Sequence, residues 1–169
     1  MRTSLRIRPA DLGDAETVER LLRDAARWVD ALGVVMWEDG ELERASIDAD
    51  LAGGFYVVAE VACSVAGTIR FQLEDPLFWP DLPKGQSAFV HRLVVARAWK
   101  GQGVSQALLE WAVARTKELG RDALRLDCDA SRTKLRQLYE SCGFTLHSYS
   151  HVGPYYVSRY QFRVGPSAL

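Results

Sequence analysis

Apolar and polar positions change period several times along the chain, and each change predicts an element. From Leu5 to Arg8 they alternate, as in a half-buried strand. Val18, Leu21, Leu22, Ala25 and Val29 then recur at helical spacing. They predict a helix running to about Leu32, capped by Asp11 or Asp14 and ended by Gly33. A short second helix is expected over Glu41 to Leu51, with Gly53 and Gly54 as its stop. Phe55 to Ala62 and Val65 to Leu73 read as the two strands of a hairpin. Glu74 to Gln86 carries Pro76, Pro80 and Pro83 together with Phe78 and Trp79, and reads as a loop. Ala88 to Val95 is the next strand. A helix follows from near Gly103, with Val104, Leu108, Trp111 and Leu119 on one stripe. Ala123 to Cys128 is a buried strand. Ser131 caps a helix through Tyr139 to Ser141, which Gly143 ends. Thr145 to Val152 and Tyr155 to Val164 close the chain as an antiparallel pair around Gly153 and Pro154. This order of strands and helices predicts an α/β protein with a mixed sheet and helices on both faces.

Length and composition narrow the class. A chain of 169 residues fits one domain, 1–169, with a substantial core. No apolar run approaches the ~18 residues of a membrane helix. The first residues alternate like a strand and lack the apolar stretch of a signal peptide. A net charge of −1 argues against a nucleic-acid partner. Cys63, Cys128 and Cys142 are widely spaced and form no CxxC pair. They suit buried thiols in a reducing cytoplasm, without disulfides or a metal site.

The junction after Val95 carries the strongest chemical signal. Ala96 to Lys100 is a short polar turn, and Gly101, Gln102 and Gly103 lead into the helix. A helix start leaves backbone N–H groups without an intrahelical partner, and the helix dipole favours negative charge there. Glycine lets the main chain approach an anion closely. Lys100 adds a mobile positive charge. The turn therefore reads as a site for a pyrophosphate-bearing cofactor. It is not a Walker loop, because no Gly-Lys-Ser/Thr follows. It is not the dinucleotide fingerprint either, since Gln106 stands where a third glycine or alanine belongs.

A second segment, Leu138-Tyr139-Glu140 followed by Gly143-Phe144, adds a resemblance. Together with Lys100-Gly101-Gln102-Gly103-Val104-Ser105 it resembles the GNAT superfamily of acyl-CoA N-acyltransferases, over roughly Ala88 to Phe162. Lys100 replaces that family's usual Arg or Gln, and Ser105 its final Gly or Ala. The resemblance implies a single-domain GNAT fold: a mixed, mostly antiparallel sheet of about seven strands with about four helices. It implies acetyl-CoA as cosubstrate, gripped by Lys100 to Gln106, and a sheet splayed between the Ala88–Val95 and Ala123–Cys128 strands. The pantetheine arm would pair with the backbone of Leu93, Val94 and Val95 as an added strand. Arg132 stands where many members carry an Asn against that arm. It is a candidate for a cofactor phosphate or for solvent.

Acyl transfer to an amine needs a neutral nucleophile, an oxyanion donor and a proton for the departing thiolate. By resemblance Tyr139 is the candidate acid, and the Val95 N–H the oxyanion donor. His91 is the candidate base, because an ordinary imidazole titrates at about 6.5. It shares a strand face with Leu93 and Val95 by the period-two rule. The strand from Val90 to Val95 resembles that of the arylalkylamine N-acetyltransferases. His147 and His151 read as structural or exposed. Acceptor selectivity is expected from the region holding Trp28, Gly33, Val34, Val35, Met36, Trp37, Glu38 and Asp39, with Tyr155 and Tyr156. Trp37 offers an aromatic wall and Glu38 or Asp39 a counter-charge for a cationic amine, while Trp28 reads as a core residue. Phe78 and Trp79 are candidates for a lid or a homodimer contact. Asp127 and Asp129 read as solvated or as helix caps.

The function expected is an acetyl-CoA-dependent N-acetyltransferase acting on a small primary amine, in the cytoplasm, with no metal. The alternatives are a non-catalytic acyl-CoA sensor or scaffold, and an acetyltransferase of protein N-termini or lysines.

Overall fold

The computed structural model describes residues 4–34, 36–37 and 39–165, so Val35 and Glu38 of the expected acceptor region lie outside the described residues. The seven strands are β1 (Leu5–Pro9), β2 (Tyr56–Val61), β3 (Ser64–Gln72), β4 (Ser87–Val95), β5 (Ala123–Asp129), β6 (Thr145–Val152) and β7 (Tyr155–Arg163). The helices are α1 (Ala15–Asp30), α2 (Arg44–Ala52), α3 (Val104–Glu118) and α4 (Thr133–Ser141). The strands form one sheet in the order β1-β2-β3-β4-β5-β7-β6. The β1–β2, β2–β3, β5–β7 and β6–β7 pairings are antiparallel, and β4–β5 is parallel.

The chain divides into two compact units. One comprises the chain up to Arg70 together with Arg92–Leu108. The other comprises Phe71–His91 and the chain from Leu109 onward. In the first unit the apolar stripe of α1 meets α2 and β2. Val18, Leu22, Ile47, Tyr56 and Val58 are fully buried there, with Leu21 and Leu51 close behind. Each such side chain contributes about 1.5–3 kcal/mol by leaving water. Entry into α1 is fixed by polar bonds. The Asp11 carboxylate accepts the Gly13 N–H at 2.8 Å, and Asp14 accepts the Asp11 N–H at 2.9 Å. Arg8 donates to both Asp14 oxygens, and these bonds hold the Asp14 carboxyl below its ordinary range. Asp11 is thus the capping residue, and Asp14 is drawn to Arg8.

In the second unit, aromatic rings stack inward from α4 and the β6–β7 pair. Tyr139 lies 5.8 Å from Tyr160 and 6.2 Å from Phe144, and Phe144 meets Phe162 edge-on at 5.5 Å.

Several expectations change. Residues Asp39–Leu42 form a 3₁₀ turn, so α2 begins at Arg44, later than the pattern predicts. Leu119 lies past the end of α3 and is exposed, whereas Leu109, Ala112 and Thr116 are buried. The cysteines are not uniformly buried: Cys128 is, Cys142 is partly so, and Cys63 is exposed. Cys63 and Ala62 form the β2–β3 turn with φ of 62° and 49°. Left-handed backbone at both central residues suits a two-residue hairpin turn, and it is the turn geometry that exposes the thiol.

The alternation along β4 is broken too. Arg92 has φ of 55°, a costly conformation for a long side chain. Its guanidinium explains why it persists. Arg92 donates to the Tyr56 hydroxyl at 2.7 Å and to the Glu41 carbonyl at 3.2 Å, and it lies 5.8 Å over the Trp37 ring. The period-two rule therefore does not carry from His91 through to Leu93 and Val95.

Candidate active site

The turn after β4 belongs to the first unit. Arg97–Trp99 form a 3₁₀ turn, and α3 starts at Val104. Gly101 and Gly103 have φ of 76° and 80°. A Cβ built on either would meet nothing within 4 Å. The glycines are therefore demanded by backbone conformation, not by crowding. The Ala107 N–H donates to the Gly103 carbonyl at 3.0 Å. The amides of Val104, Ser105 and Gln106 precede that first helical bond, the position from which a helix start addresses an anion.

Lys100 is exposed, and its Nζ lies 5.8 Å from the Trp28 ring centroid. Arg97 lies 5.9 Å from the same ring. Trp28 is 39% exposed, so it is not the core residue its type suggested. It lies at the edge of the apolar stripe of α1, seven residues after Leu21, and offers its face to two cations. Trp37 is half-buried, packed against the α1–α2 core beneath Arg92. Val94 is buried, and Leu93 and Val95 partly so.

Both acid–base candidates belong to the second unit. Asp129 opens the approach to α4 by accepting the Ser131 N–H at 2.9 Å, so the capping turn is made by Asp129 and not Ser131. Arg132 is the last residue before the helix and is partly buried. Its charge acts on both the Tyr139 phenol and the Cys128 thiol. Tyr139, in the last turn of α4, is 4% exposed. Burial pushes its phenol well above the ordinary tyrosine range, and nearby Cys128 and Asp127 act in the same direction. The phenol thus holds its proton throughout the neutral range. A group that must deliver a proton to a thiolate needs that property.

His91 sits where the β4–β5 register gives out. That register runs from Ser87 opposite Ala123 to Val90 opposite Leu126. His91 and Asp127 are the next residue on each strand. His91 Nε2 lies 2.6 Å from Asp75 Oδ2, and His91 Nδ1 lies 3.8 Å from Asp127 Oδ2. The Asp75 and Asp127 side chains are 4% and 7% exposed, and His91 is 18% exposed. Burial pushes the Asp127 carboxyl up to about 6, with the His91 ring acting in the opposite sense. Neither the Trp79 Nε1–H nor Asp127 Oδ2 makes a hydrogen bond of full geometry, yet the indole N–H still tempers that rise.

Asp127 is therefore not the solvated or capping residue its neighbours in sequence suggested. It is buried against the imidazole by a fold that brings three separate segments together. Asp75 is a site residue the sequence did not single out. Three donor atoms from Asp75, His91 and Asp127 lie within 4.8 Å of one another, a spacing a metal ion could use. The 2.6 Å bond between Asp75 and His91 commits one oxygen and one ring nitrogen to a shared proton, which a cation would have to displace.

In the loop before β4, Trp79 is a buried anchor and not a surface residue. Trp79 is 2% exposed and lies between the guanidiniums of Arg159 and Arg125, at 4.6 Å and 5.2 Å. Arg159 donates to the Asp81 carboxylate at 2.7 Å and to the Phe78 carbonyl at 3.2 Å. The Phe78 ring lies 5.5 Å from His91. His147 packs edge-on against Trp79 at 5.2 Å, and burial with nearby Arg125 and Arg159 holds it below the ordinary histidine range. His151 lies 4.6 Å from the exposed Tyr156 ring.

The chain thus combines a mixed seven-stranded sheet and a glycine-turned helix start after β4 with a buried phenol and a half-buried imidazole. The profile of the Acetyltransferase (GNAT) family matches residues 17–144. The chain is 30% identical over 144 residues to the uncharacterized N-acetyltransferase YesJ of Bacillus subtilis (strain 168), covering 80% of this chain and 79% of that one. Its fold is similar to that of a GNAT-family acetyltransferase from Listeria monocytogenes 4b F2365, with a TM-score of 0.78, 23% identity and coverage of 97% and 99%. It is also similar to yncA of Salmonella typhimurium, whose structure holds its cofactor acetyl-CoA, with a TM-score of 0.69, 19% identity and coverage of 99% and 98%. The chain belongs to the GNAT family of acetyltransferases. Among the described residues no helix is long and apolar enough to cross a membrane.

Proposed function

We propose that the protein is an acetyl-CoA-dependent N-acetyltransferase whose acceptor is the primary amine of a small molecule in the cytoplasm. The observation that carries this reading is that one unit holds both a buried, protonated phenol and an imidazole bonded to a buried carboxylate. In this reading the amides of Val104, Ser105 and Gln106 and the charge of Lys100 grip the diphosphate, with Gly101, Gln102 and Gly103 shaping the turn. Leu93, Val94 and Val95 offer their backbone to the pantetheine arm, and the Val95 N–H receives the oxyanion. Arg132 is assigned to the cofactor side.

His91 takes the proton of the attacking amine. The amine lone pair forms the N–C bond, the C–S bond breaks, and Tyr139 gives its proton to the departing thiolate. Trp37 is assigned to the wall of the acceptor site, and Glu38 to its counter-charge. The similarity to yncA, which binds acetyl-CoA, supports the choice of donor. A panel of acyl-CoA donors crossed with amines and N-terminal peptides, read by release of free CoA thiol, tests the whole reading. We expect acetyl-CoA with small amines to give turnover. Release only with peptides would move the acceptor class. Acetyl-CoA binding with no release from any amine would leave a non-catalytic sensor.

A further inference from the structure

We propose that Asp75 is a positioning residue. It fixes His91 in the tautomer that carries its proton on Nε2, so that Nδ1 is the nitrogen that takes the amine's proton, with Asp127 receiving the resulting N–H. This inference rests on the reading of His91 as the base.

The bonds at Asp75 set the tautomer. Asp75 Oδ1 accepts the Phe78 N–H at 3.1 Å, and Oδ2 lies 2.6 Å from His91 Nε2. An ionised carboxylate only accepts, so Nε2 is the donor. A neutral imidazole has one donor and one acceptor, which leaves the lone pair on Nδ1. The 2.6 Å separation is that of a charge-assisted bond. The carboxylate is itself held by the turn at Phe78, so the ring is fixed from a rigid point.

The oxygen facing Nδ1 favours proton uptake there. Asp127 Oδ2 is buried and makes no hydrogen bond of full geometry, with only the Trp79 indole N–H acting on the carboxyl, which is costly for an acceptor out of water. It lies 3.8 Å from Nδ1, beyond hydrogen-bond reach. Once Nδ1 is protonated, a small ring movement gives that oxygen a charged donor. The unsatisfied acceptor is therefore relieved in the state that the reaction creates, which favours proton uptake at the moment of attack. The charged groups around the imidazole act consistently. Asp75 follows β3 and Asp127 lies on β5. Arg159 on β7 acts on Asp127 and favours its ionised form, the form that can receive the imidazolium N–H. The amine proton moves to Nδ1 while the Nε2 proton stays with Asp75. After product release the imidazolium proton returns to water, and the Tyr139 phenolate regains one.

The test is a long-range proton–nitrogen correlation spectrum of the ¹⁵N-labelled full chain, with His91 assigned by its absence in His91→Ala, beside kinetics of Asp75→Asn and Asp75→Glu. We expect the wild-type ring, when neutral, to carry its proton on Nε2. Asn keeps an acceptor for the Phe78 N–H. In Asp75→Asn we expect the tautomer preference to weaken and kcat to fall about 10²-fold. The KM for acetyl-CoA should hold, and the acidic limb of the rate–pH profile should move to lower pH. Glu should restore part of the rate. A wild-type ring protonated on Nδ1 overturns the proposal, as does an Asp75→Asn protein with wild-type spectrum and rate. If the tautomer responds as expected but His91→Ala turns over at the wild-type rate, the base reading fails instead.

Discussion

The turn into α3 and the cluster around His91 are made of opposite materials. The first is backbone: the first amides of a helix, two left-handed glycines and open space where a Cβ added to either glycine meets nothing. The second is side chain: two carboxylates and an imidazole, mostly buried and drawn from three segments of the chain. A backbone site depends on φ and tolerates many neighbours. A buried polar site depends on each partner being present, because every unpaired group costs desolvation. In this reading the first governs how tightly acetyl-CoA is held, and the second how fast it reacts. Substitutions should separate the two.

The largest effect is expected at Tyr139. Tyr139→Phe removes one hydroxyl from a ring that packs against Phe144 and Tyr160. Packing survives, and the proton for the thiolate is lost. Turnover should fall about 10²–10⁴-fold, the range for loss of a general acid. Acetyl-CoA affinity measured by calorimetry should stay within a few-fold. Equal losses in rate and affinity would erase the division between the two regions.

Asp127 should show that the buried region is bought at a cost in stability. Its carboxyl is raised to about 6, so the folded state binds a proton that the unfolded chain releases at the ordinary value of 3.8. The proton stabilises the fold at low pH, and that stability is lost as pH rises through about 6. Above that, the buried charge costs up to about 3 kcal/mol. Asp127→Asn should therefore raise the unfolding free energy at pH 7 and slow turnover, with the gain in stability fading between about pH 6 and pH 4. A denaturant series across that window checks it. A gain that does not change with pH would mean that Asp127 is not carrying the charge.

The two regions also differ in how far they could be read from the chain. The α3 turn is contiguous, and each of its features is a local property of Lys100 to Ser105, so residue types were enough. The strand and helix order was equally legible, because periodicity reports burial directly. The His91 cluster was half-visible. His91 stands out as a histidine on an apolar strand, but Asp75 lies in a proline-bounded loop and Asp127 beside a second aspartate that only makes a turn. Little that is local tells those acids apart. Asp127 did carry one signal, an acid on a strand otherwise built for burial, in step with Arg125. The left-handed Arg92 was invisible, since only Tyr56, Glu41 and Trp37, all distant in sequence, make it tolerable. Trp79 was misread for a related reason. Loops are expected at the surface, but the arginines that cover this one come from β5 and β7.

Gly103→Val tests the backbone region alone. No atom lies within 4 Å of the added Cβ, so any loss must come from the φ of 80° that valine disfavours. Strain of about 1–3 kcal/mol is expected. It should weaken acetyl-CoA binding by about 10–10²-fold, with kcat at saturating cosubstrate changed little. Gly101→Ala, with a similar φ of 76° and a smaller side chain, should lie below it in the same assay. A drop in kcat without loss of affinity would show that the turn aims the thioester and does not merely hold it.

The smallest effect is expected at Trp28, and it tells most about where the backbone region ends. The indole lies under Lys100 and Arg97 at 5.8 Å and 5.9 Å while remaining 39% exposed. A cation over an exposed ring is worth about 0.5–1 kcal/mol. If the ring only steadies Lys100, Trp28→Ala should weaken acetyl-CoA binding no more than about five-fold. Trp28→Phe should then recover part of that loss, because a smaller ring still offers a π-face. Lys100→Ala should lose more than Trp28→Ala, and the double variant no more than Lys100→Ala alone. A double variant that loses the sum of the two single losses would place the indole in contact with the cosubstrate itself and extend the backbone site onto α1.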